Sequence, residues 1–234
     1  MEIKSDLTWA RPATPDQDSL QLVKNLIAAA LLECCSIDEL NALKKTPLIE
    51  CVAEQANEDL LAFARKDPAA GCDPIFIART YTSYAAVMHY RLARWIYLNA
   101  AKRSTPLMRS LAAIVSKRGK MLSGAEIHFH SSIGARLIID HGVGTVIGET
   151  CTIGADCYIL GGVTLGARGI GTNALALRHP QLGSRVQIGA FSSVLGCISV
   201  GDDAFIGPGC IITENVPAKA RVQLKTSLQV LIPE

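Results

Sequence analysis

The sequence predicts an α+β chain, an N-terminal all-helical domain followed by a parallel β-helix of hexapeptide repeats. Three observations carry this prediction. Aliphatic residues recur every six positions, at Ile127, Ile133 and Ile139, then Ile147, Ile153, Ile159 and Leu165, then Ile188, Val194, Val200, Ile206 and Ile212. Such a beat marks a β-helix, in which each hexad supplies one short strand and one turn, and three hexads close a coil of about eighteen residues. Glycine follows the aliphatic residue at Ile133, Ile147, Ile153, Ile188, Val200 and Ile206, where a corner can demand backbone angles that side chains resist. The first half lacks the beat. Its apolar residues are spaced by three and four, as in Leu20, Val23, Leu26, Ile27, Ala30 and Leu31, which is the periodicity of a helix.

These signals divide the chain into helical residues 1–120, a β-helix over 121–215 and a tail over 216–234. Within the helical part, Ser36-Ile37-Asp38-Glu39 is a capping box that opens a second, short helix. Pro47 sits at the first position of a third, which runs to Lys66 before Asp67-Pro68 ends it. Pro74 begins a long fourth helix carrying Tyr84, Val87, Met88, Arg91, Leu92 and Trp95, and a fifth follows from Pro106 toward Lys120. A bundle rich in alanine and leucine beside a β-helix leaves apolar faces to cover, so oligomerisation is expected. The β-helix is expected to stop near Ile212, with the tail covering its open strand edge.

At 234 residues and 49% hydrophobic content the chain can bury a sizeable core. Its net charge of +2, with basic residues spread among acids, shows no stripe for nucleic acid or an anionic membrane. No stretch reaches membrane-spanning length, and Met1-Glu2-Ile3-Lys4-Ser5-Asp6 lacks the layout of a signal peptide, so a cytoplasmic location is expected. The eight cysteines form no CxxC pair, which argues against a disulfide or zinc framework. Cys151, Cys157 and Cys210 fall where a β-helix takes small inward side chains, and they read as core. Cys197 falls elsewhere in its hexad and reads as more exposed.

The beat breaks twice, and the breaks hold the chemistry. Between Ile139 and Ile147 two extra residues push Asp140-His141-Gly142-Val143-Gly144 out of the wall. Between Leu165 and Ile188 the register is lost across a loop from Gly166 to Leu177 that ends in Arg178-His179-Pro180. Long loops on a rigid scaffold are usually functional. His141, beside Asp140 and followed by glycines that let a substrate approach, has the setting of a general base for a hydroxyl. Glu126, fifteen residues earlier and so close to one coil away, is the candidate that orients it. Arg178 and His179 offer a planar fork and a second imidazole for a substrate carboxylate. His89 lies on a helix and reads as structural. His128 and His130 straddle Phe129 at a spacing that can hold a metal, with no third ligand evident, so no metal is expected.

These segments resemble the serine O-acetyltransferases of the hexapeptide-repeat acyltransferases. The likeness runs through Glu126-Ile127-His128, Leu137-Ile138-Ile139-Asp140-His141, Gly144 to Thr150, Val163-Thr164-Leu165-Gly166, Arg178-His179-Pro180 and Ile188-Gly189-Ala190. Weaker echoes are Lys66-Asp67-Pro68-Ala69 and Tyr90-Arg91-Leu92. The resemblance implies a left-handed coil, an exception to the usual right-handed crossover. It implies acetyl transfer from acetyl-CoA to L-serine in cysteine biosynthesis, with His141 as base and Glu126, where aspartate is usual, orienting it. His179 would complete the catalytic group. Asp67 and Asp140 would hold the substrate amino group, Arg178 and His179 its carboxylate, and coenzyme A would lie near Ala167, Gly189 and Ala190. Adjacent subunits of a homotrimer, or of a hexamer built from two, would share these residues.

Three departures from the family pattern bear on these expectations. The 166–178 loop is longer and less glycine-rich, which leaves homoserine or another small hydroxylated amino acid open as acceptor. The segment after Val216-Pro217 lacks the usual closing stretch. The chain ends in Pro-Glu rather than the isoleucine with which family members dock into O-acetylserine sulfhydrylase, so that partnership is not expected. Two readings of other classes are a histidine metal site resembling the trimeric β-helix carbonic anhydrases, whose remaining pattern is missing, and a silent scaffold, which needs neither the Asp140-His141 bulge nor Arg178-His179.

Overall fold

The computed structural model describes residues 15–103, 106–169 and 176–225. Met1 to Asp6, residues 170–175 of the loop and residues 226–234 of the tail lie outside the described residues. Among the described residues six α-helices come first: α1 Pro15–Cys34, α2 Ile37–Leu43, α3 Leu48–Lys66, α4 Pro74–Thr80, α5 Thr82–Arg103 and α6 Pro106–Ser123. The capping box forms, Ser36 N donating to Glu39 Oε2 at 2.7 Å while Glu39 N donates to Ser36 Oγ at 3.3 Å. Pro47 is the cap residue before α3 rather than its first helical position.

The single long helix expected from Pro74 is two helices. Tyr81 is extended (φ −90°, ψ 108°) and separates them. Neither proline nor glycine announces this break. Tertiary contacts hold it instead: the Tyr81 hydroxyl donates to Asp67 Oδ2 at 2.6 Å, and the ring packs edge-on against Phe63 and Phe76.

Fourteen short strands follow among the described residues, from β1 Glu126–Ile127 to β14 Arg221–Val222. They stack into three parallel sheets, β1-β4-β7-β10-β13, β2-β5-β8-β11 and β3-β6-β9-β12-β14, the walls of a left-handed β-helix. Aliphatic residues pair across the coils in columns, Ile127 with Ile147, then Leu165, Val194 and Ile212 in the first sheet. All twelve beat residues are buried, as are Cys151, Cys157 and Cys210, while Cys197 is exposed. Burial pushes the Cys151 thiol up to about 12 and the Cys157 thiol to about 11, so both act as small apolar groups.

Two boundaries differ from the sequence reading. The beat returns at Leu182, one hexad before Ile188, because strand β8 (Gln181–Leu182) starts directly after Pro180 and so looked like the loop's end. The β-helix also continues beyond Ile212: Val216 bridges Val200, and β14 pairs with β12 (Phe205–Ile206). Val216 stands four positions after Ile212 rather than six, which hides the period. The Asn215 side-chain oxygen accepts the Ser199 N–H at 2.9 Å across that shortened turn.

One corner carries a feature the periodicity did not reveal. Arg136, Asp156, Arg185, Asp203 and Lys219 each stand three residues before an inward aliphatic residue, and all have φ near +60°. Their charges alternate up the stack. Arg136 and Asp156 pair at 2.6 and 2.8 Å, Arg185 and Asp203 at 2.7 and 2.8 Å, so forked ion pairs accompany a backbone conformation that side chains normally disfavour.

The helices are stapled to the first coil by a buried ion pair. Arg91 of α5 donates to both Asp59 oxygens (2.8 and 2.9 Å) and to the Ile133 and Gly134 carbonyls (2.7 and 2.6 Å), while Asp59 Oδ1 also accepts Leu137 N–H at 2.8 Å. The neighbouring Tyr90 hydroxyl donates to the Ser131 carbonyl at 2.8 Å. Among the described residues no helix is long and apolar enough to cross a membrane.

Candidate active site

The first register break lands against the helical bundle. His141 adopts φ 61°, and Gly142 after it φ 77°. The bulge is closed by its own backbone, Gly142 N to Asp140 O at 2.8 Å and Thr145 N to Gly142 O at 2.9 Å, and Gly144 N reaches back to Gly124 O at 3.0 Å. Glycine is required at 142, since a Cβ there would also stand 3.1 Å from the Ser83 Cβ at the start of α5. A cleft of about 330 Å³ results, lined by Asp67, Ala69, Thr80, Tyr81, Thr82, Ser83, Asp140 and His141. The bulge and the α4–α5 break meet there.

Within the cleft each carboxylate is steadied by a tyrosine. Asp67 Oδ2 accepts from Tyr81 Oη at 2.6 Å and its Oδ1 from Ala69 N at 2.9 Å, while Asp140 Oδ2 accepts from Tyr158 Oη at 2.9 Å. The bond to Asp67, followed by burial, pushes the Tyr81 phenol up to about 12, so it stays a donor at neutral pH. Burial and the bond to Asp140 push Tyr158 up further. The His141 side chain is 82% exposed, and its Nε2 stands 3.9 Å from Asp140 Oδ1, beyond hydrogen-bond distance. Sequence reasoning missed Tyr81 and Tyr158. The only available signal for Tyr158 was its outward place in a hexad one coil after Asp140.

Glu126 is not where the fifteen-residue spacing implied. The backbone does come close, since Ala125 and Gly124 back the bulge, but the Glu126 carboxylate is paired with Lys120 of α6. The carboxylate beside His141 is Asp140. Lys120 lies six residues from Glu126 across the helix-to-strand junction, and only the turn between them brings the two together.

Arg178 and His179 lie outside this cleft. They pack at another corner, where Arg178 Nη2 pairs with Glu149, whose other oxygen faces His130 Nδ1 at 2.9 Å. Thr150 Oγ1 accepts the backbone N–H of Arg178 (3.1 Å) and of His179 (3.2 Å). Thr150 N–H donates to His179 Nδ1 at 3.1 Å, which leaves the ring proton on Nε2. The imidazole lies over Gly148, and burial, then Arg178, lowers its pKa. His128 and His130 are engaged with each other, His130 N–H donating to His128 Nδ1 at 3.1 Å. Among the described residues no group of three or more His, Cys, Asp and Glu is placed to hold a metal. Gly189 and Ala190 share the corner of His141, whereas Ala167 begins the loop on the corner of Arg178. One chain therefore carries the two groups of residues on different corners.

Comparison with known proteins gives this arrangement a family. Residues 179–214 match the model described as bacterial transferase hexapeptide (six repeats), and residues 144–168 match the hexapeptide repeat of succinyl-transferase. A serine acetyltransferase of Mycobacterium tuberculosis is 40% identical over 166 residues, covering 70% of this chain and 67% of that protein. The chain belongs to the serine acetyltransferase family. Solved structures agree. Isoform 3 of the Entamoeba histolytica enzyme in complex with cysteine superposes with a TM-score of 0.71 at 27% identity, over 96% of this chain and 86% of that one. The Neisseria gonorrhoeae enzyme in complex with serine gives 0.69 at 27% identity, over 90% and 82%.

Proposed function

We propose that this chain transfers the acetyl group of acetyl-CoA to the hydroxyl of L-serine, yielding O-acetylserine and free coenzyme A on the route to cysteine. The observation that carries the reading is the convergence of His141, Asp140 and Asp67 in one cleft, in a chain of a family whose members have been solved with serine and with cysteine. The serine ammonium would sit between Asp67 and Asp140, which both line the cleft. His141 would take the hydroxyl proton as the oxygen attacks the thioester carbonyl, then return it to the departing thiolate. Arg178 and His179, standing on a different corner, would be supplied to this cleft by a neighbouring copy in a trimer, where the fork would clamp the serine carboxylate. In this reading Asp140, whose Oδ1 stands 3.9 Å from His141 Nε2, would bias the ring in place of Glu126, which pairs with Lys120.

The test is a competition. Protein given acetyl-CoA with equimolar L-serine, L-homoserine and L-threonine is expected to yield mainly O-acetylserine by mass spectrometry. Predominance of acetylhomoserine would keep the mechanism and move the substrate, and no acetylated product from folded protein would sink the reading.

The tyrosines give a finer prediction. Tyr81→Phe removes the donor that holds Asp67, a loss typical of one hydrogen bond to a charged group, and should raise the KM for serine by about tenfold with little change in the KM for acetyl-CoA. Equal changes in both constants would show that Tyr81 acts on the fold rather than on the acceptor site.

A further inference from the structure

A second cavity, of about 190 Å³, lies within the helical domain between α1, α4, α5 and α6. Its walls are mostly apolar, with Leu26 and Ala30 of α1, Ala78 of α4, Met88 of α5 and Leu122 of α6. Two polar side chains in the lining are already engaged: the Tyr84 hydroxyl donates to the Ala56 carbonyl at 3.3 Å, and Glu33 accepts from Arg118 of α6 at 2.7 Å. The third is His89, a residue only 3% exposed.

The His89 ring is fixed on one side and unanswered on the other. Nδ1 stands 2.7 Å from the Ala85 carbonyl, which can only accept, so the ring proton is on Nδ1 and Nε2 is a bare acceptor. Burial lowers the pKa of the ring, which preserves this uncharged form at neutral pH. The stem abuts α6, since a Cβ added at Gly119 would fall 2.7 Å from His89 Cβ and 3.3 Å from its Cγ. With those edges taken, the distal edge that carries Nε2 is what the ring has left for the cavity. Among the described residues two buried side-chain polar atoms have no hydrogen-bond partner, this one and His130 Nε2 beside Glu149. A buried acceptor left unpaired is costly, so a molecule that brings it a donor gains that bond without breaking another inside the protein.

We propose that this cavity is a second binding site, for a small apolar molecule that carries a single hydroxyl or N–H donor, of which a phenol is the simplest case. The donor bonds to His89 Nε2 while the carbon body packs on Leu26, Met88 and Leu122. A buried water is normally held by about three polar partners, whereas one acceptor in apolar walls suits a molecule with one polar end. The inference does not depend on the reaction proposed above. Its place still ties it to the cleft of His141, because Ala78 and Tyr84 line this cavity while Thr80, Tyr81, Thr82 and Ser83, between them in the chain, line that cleft. An occupant therefore braces the two helices that flank the α4–α5 break.

The experiment uses the full chain as wild type, His89→Phe and Ala78→Leu, with phenol and toluene as probes of one shape that differ in the donor. Affinity is measured by NMR titration. Wild type is expected to bind phenol about tenfold more tightly than toluene, and phenol alone should shift the His89 Nε2 resonance. His89→Phe keeps the Cβ that packs on Gly119 and removes the acceptor, so it should melt no lower than wild type and lose the preference for phenol. Ala78→Leu fills the cavity from α4 and should bind neither probe. Phenol is also expected to slow amide exchange in wild type at Tyr81 and Ala85, whose N–H groups donate to Ile77 and Tyr81 on either side of the break. Equal affinity for the two probes in wild type, a His89 resonance that phenol leaves in place, or an unchanged preference in His89→Phe overturns the proposal. So does the binding of neither probe, which would leave the cavity to a water or to a subunit contact. Binding with unchanged exchange overturns the tie to the cleft. Where a variant fails to fold, the wild-type affinities and the His89 resonance still decide.

Discussion

Replacing His141 with asparagine is expected to lower kcat by about 10²–10⁴-fold, the usual worth of a positioned general base. The choice of asparagine matters. His141 sits at φ 61°, and asparagine tolerates that region far better than alanine, so His141→Asn removes the proton acceptor without straining the bulge. The side chain is also 82% exposed and contributes little packing. Thermal unfolding should therefore stay unchanged while turnover collapses and the KM for acetyl-CoA moves little. His141→Ala adds backbone strain and is expected to lose stability as well as rate. Near-normal turnover in His141→Asn would falsify the assignment of the base.

Asp59→Ala should destabilise the chain by about 3–5 kcal/mol, the cost of leaving a buried charge without its partner. Arg91 is 2% exposed and Asp59 1%, so no water can replace the lost partner without opening the junction. The pair also serves three backbone groups: the Ile133 and Gly134 carbonyls accept from Arg91, and Leu137 N–H donates to Asp59. Replacing both residues with apolar ones, as in Asp59→Leu with Arg91→Met, should recover only part of the loss, because those three groups remain unpaired. Urea unfolding of the two single variants and the double variant measures this. Full recovery in the double variant would mean that the backbone contacts contribute little. Since the same junction seats Ser83 against Gly142, Asp59→Ala is also expected to raise the KM for serine at temperatures below its melting point.

Much of the fold was legible in the sequence because a β-helix repeats locally. Each inward Ile or Val announces itself, and so did the bulge at Asp140-His141, as a two-residue error in a regular count. Leu182 and Val222 escaped because irregular segments beside them hid the period. The break at Tyr81 escaped for another reason: Thr80-Tyr81-Thr82 carries no helix-stopping residue, and the contacts that extend it come from Asp67, Phe63 and Phe76. At the site, the fifteen-residue spacing offered Glu126 as the partner of His141. It could not say which way the side chain turns, and Lys120 claims it.

The sequence by itself determined the architecture, the family and the small set of residues able to do chemistry, because periodic burial and short motifs are properties of neighbours along the chain. Only the tertiary structure decided which of those residues meet. It joined Asp67 and Tyr81 from the helices to Asp140 and Tyr158 from successive coils, and it set Arg178 and His179 on a different corner beside Glu149 and Thr150. The physical reason is that a stacked coil brings together residues roughly one turn apart, whereas the direction of each side chain depends on the charges, rings and helix ends that pack against it.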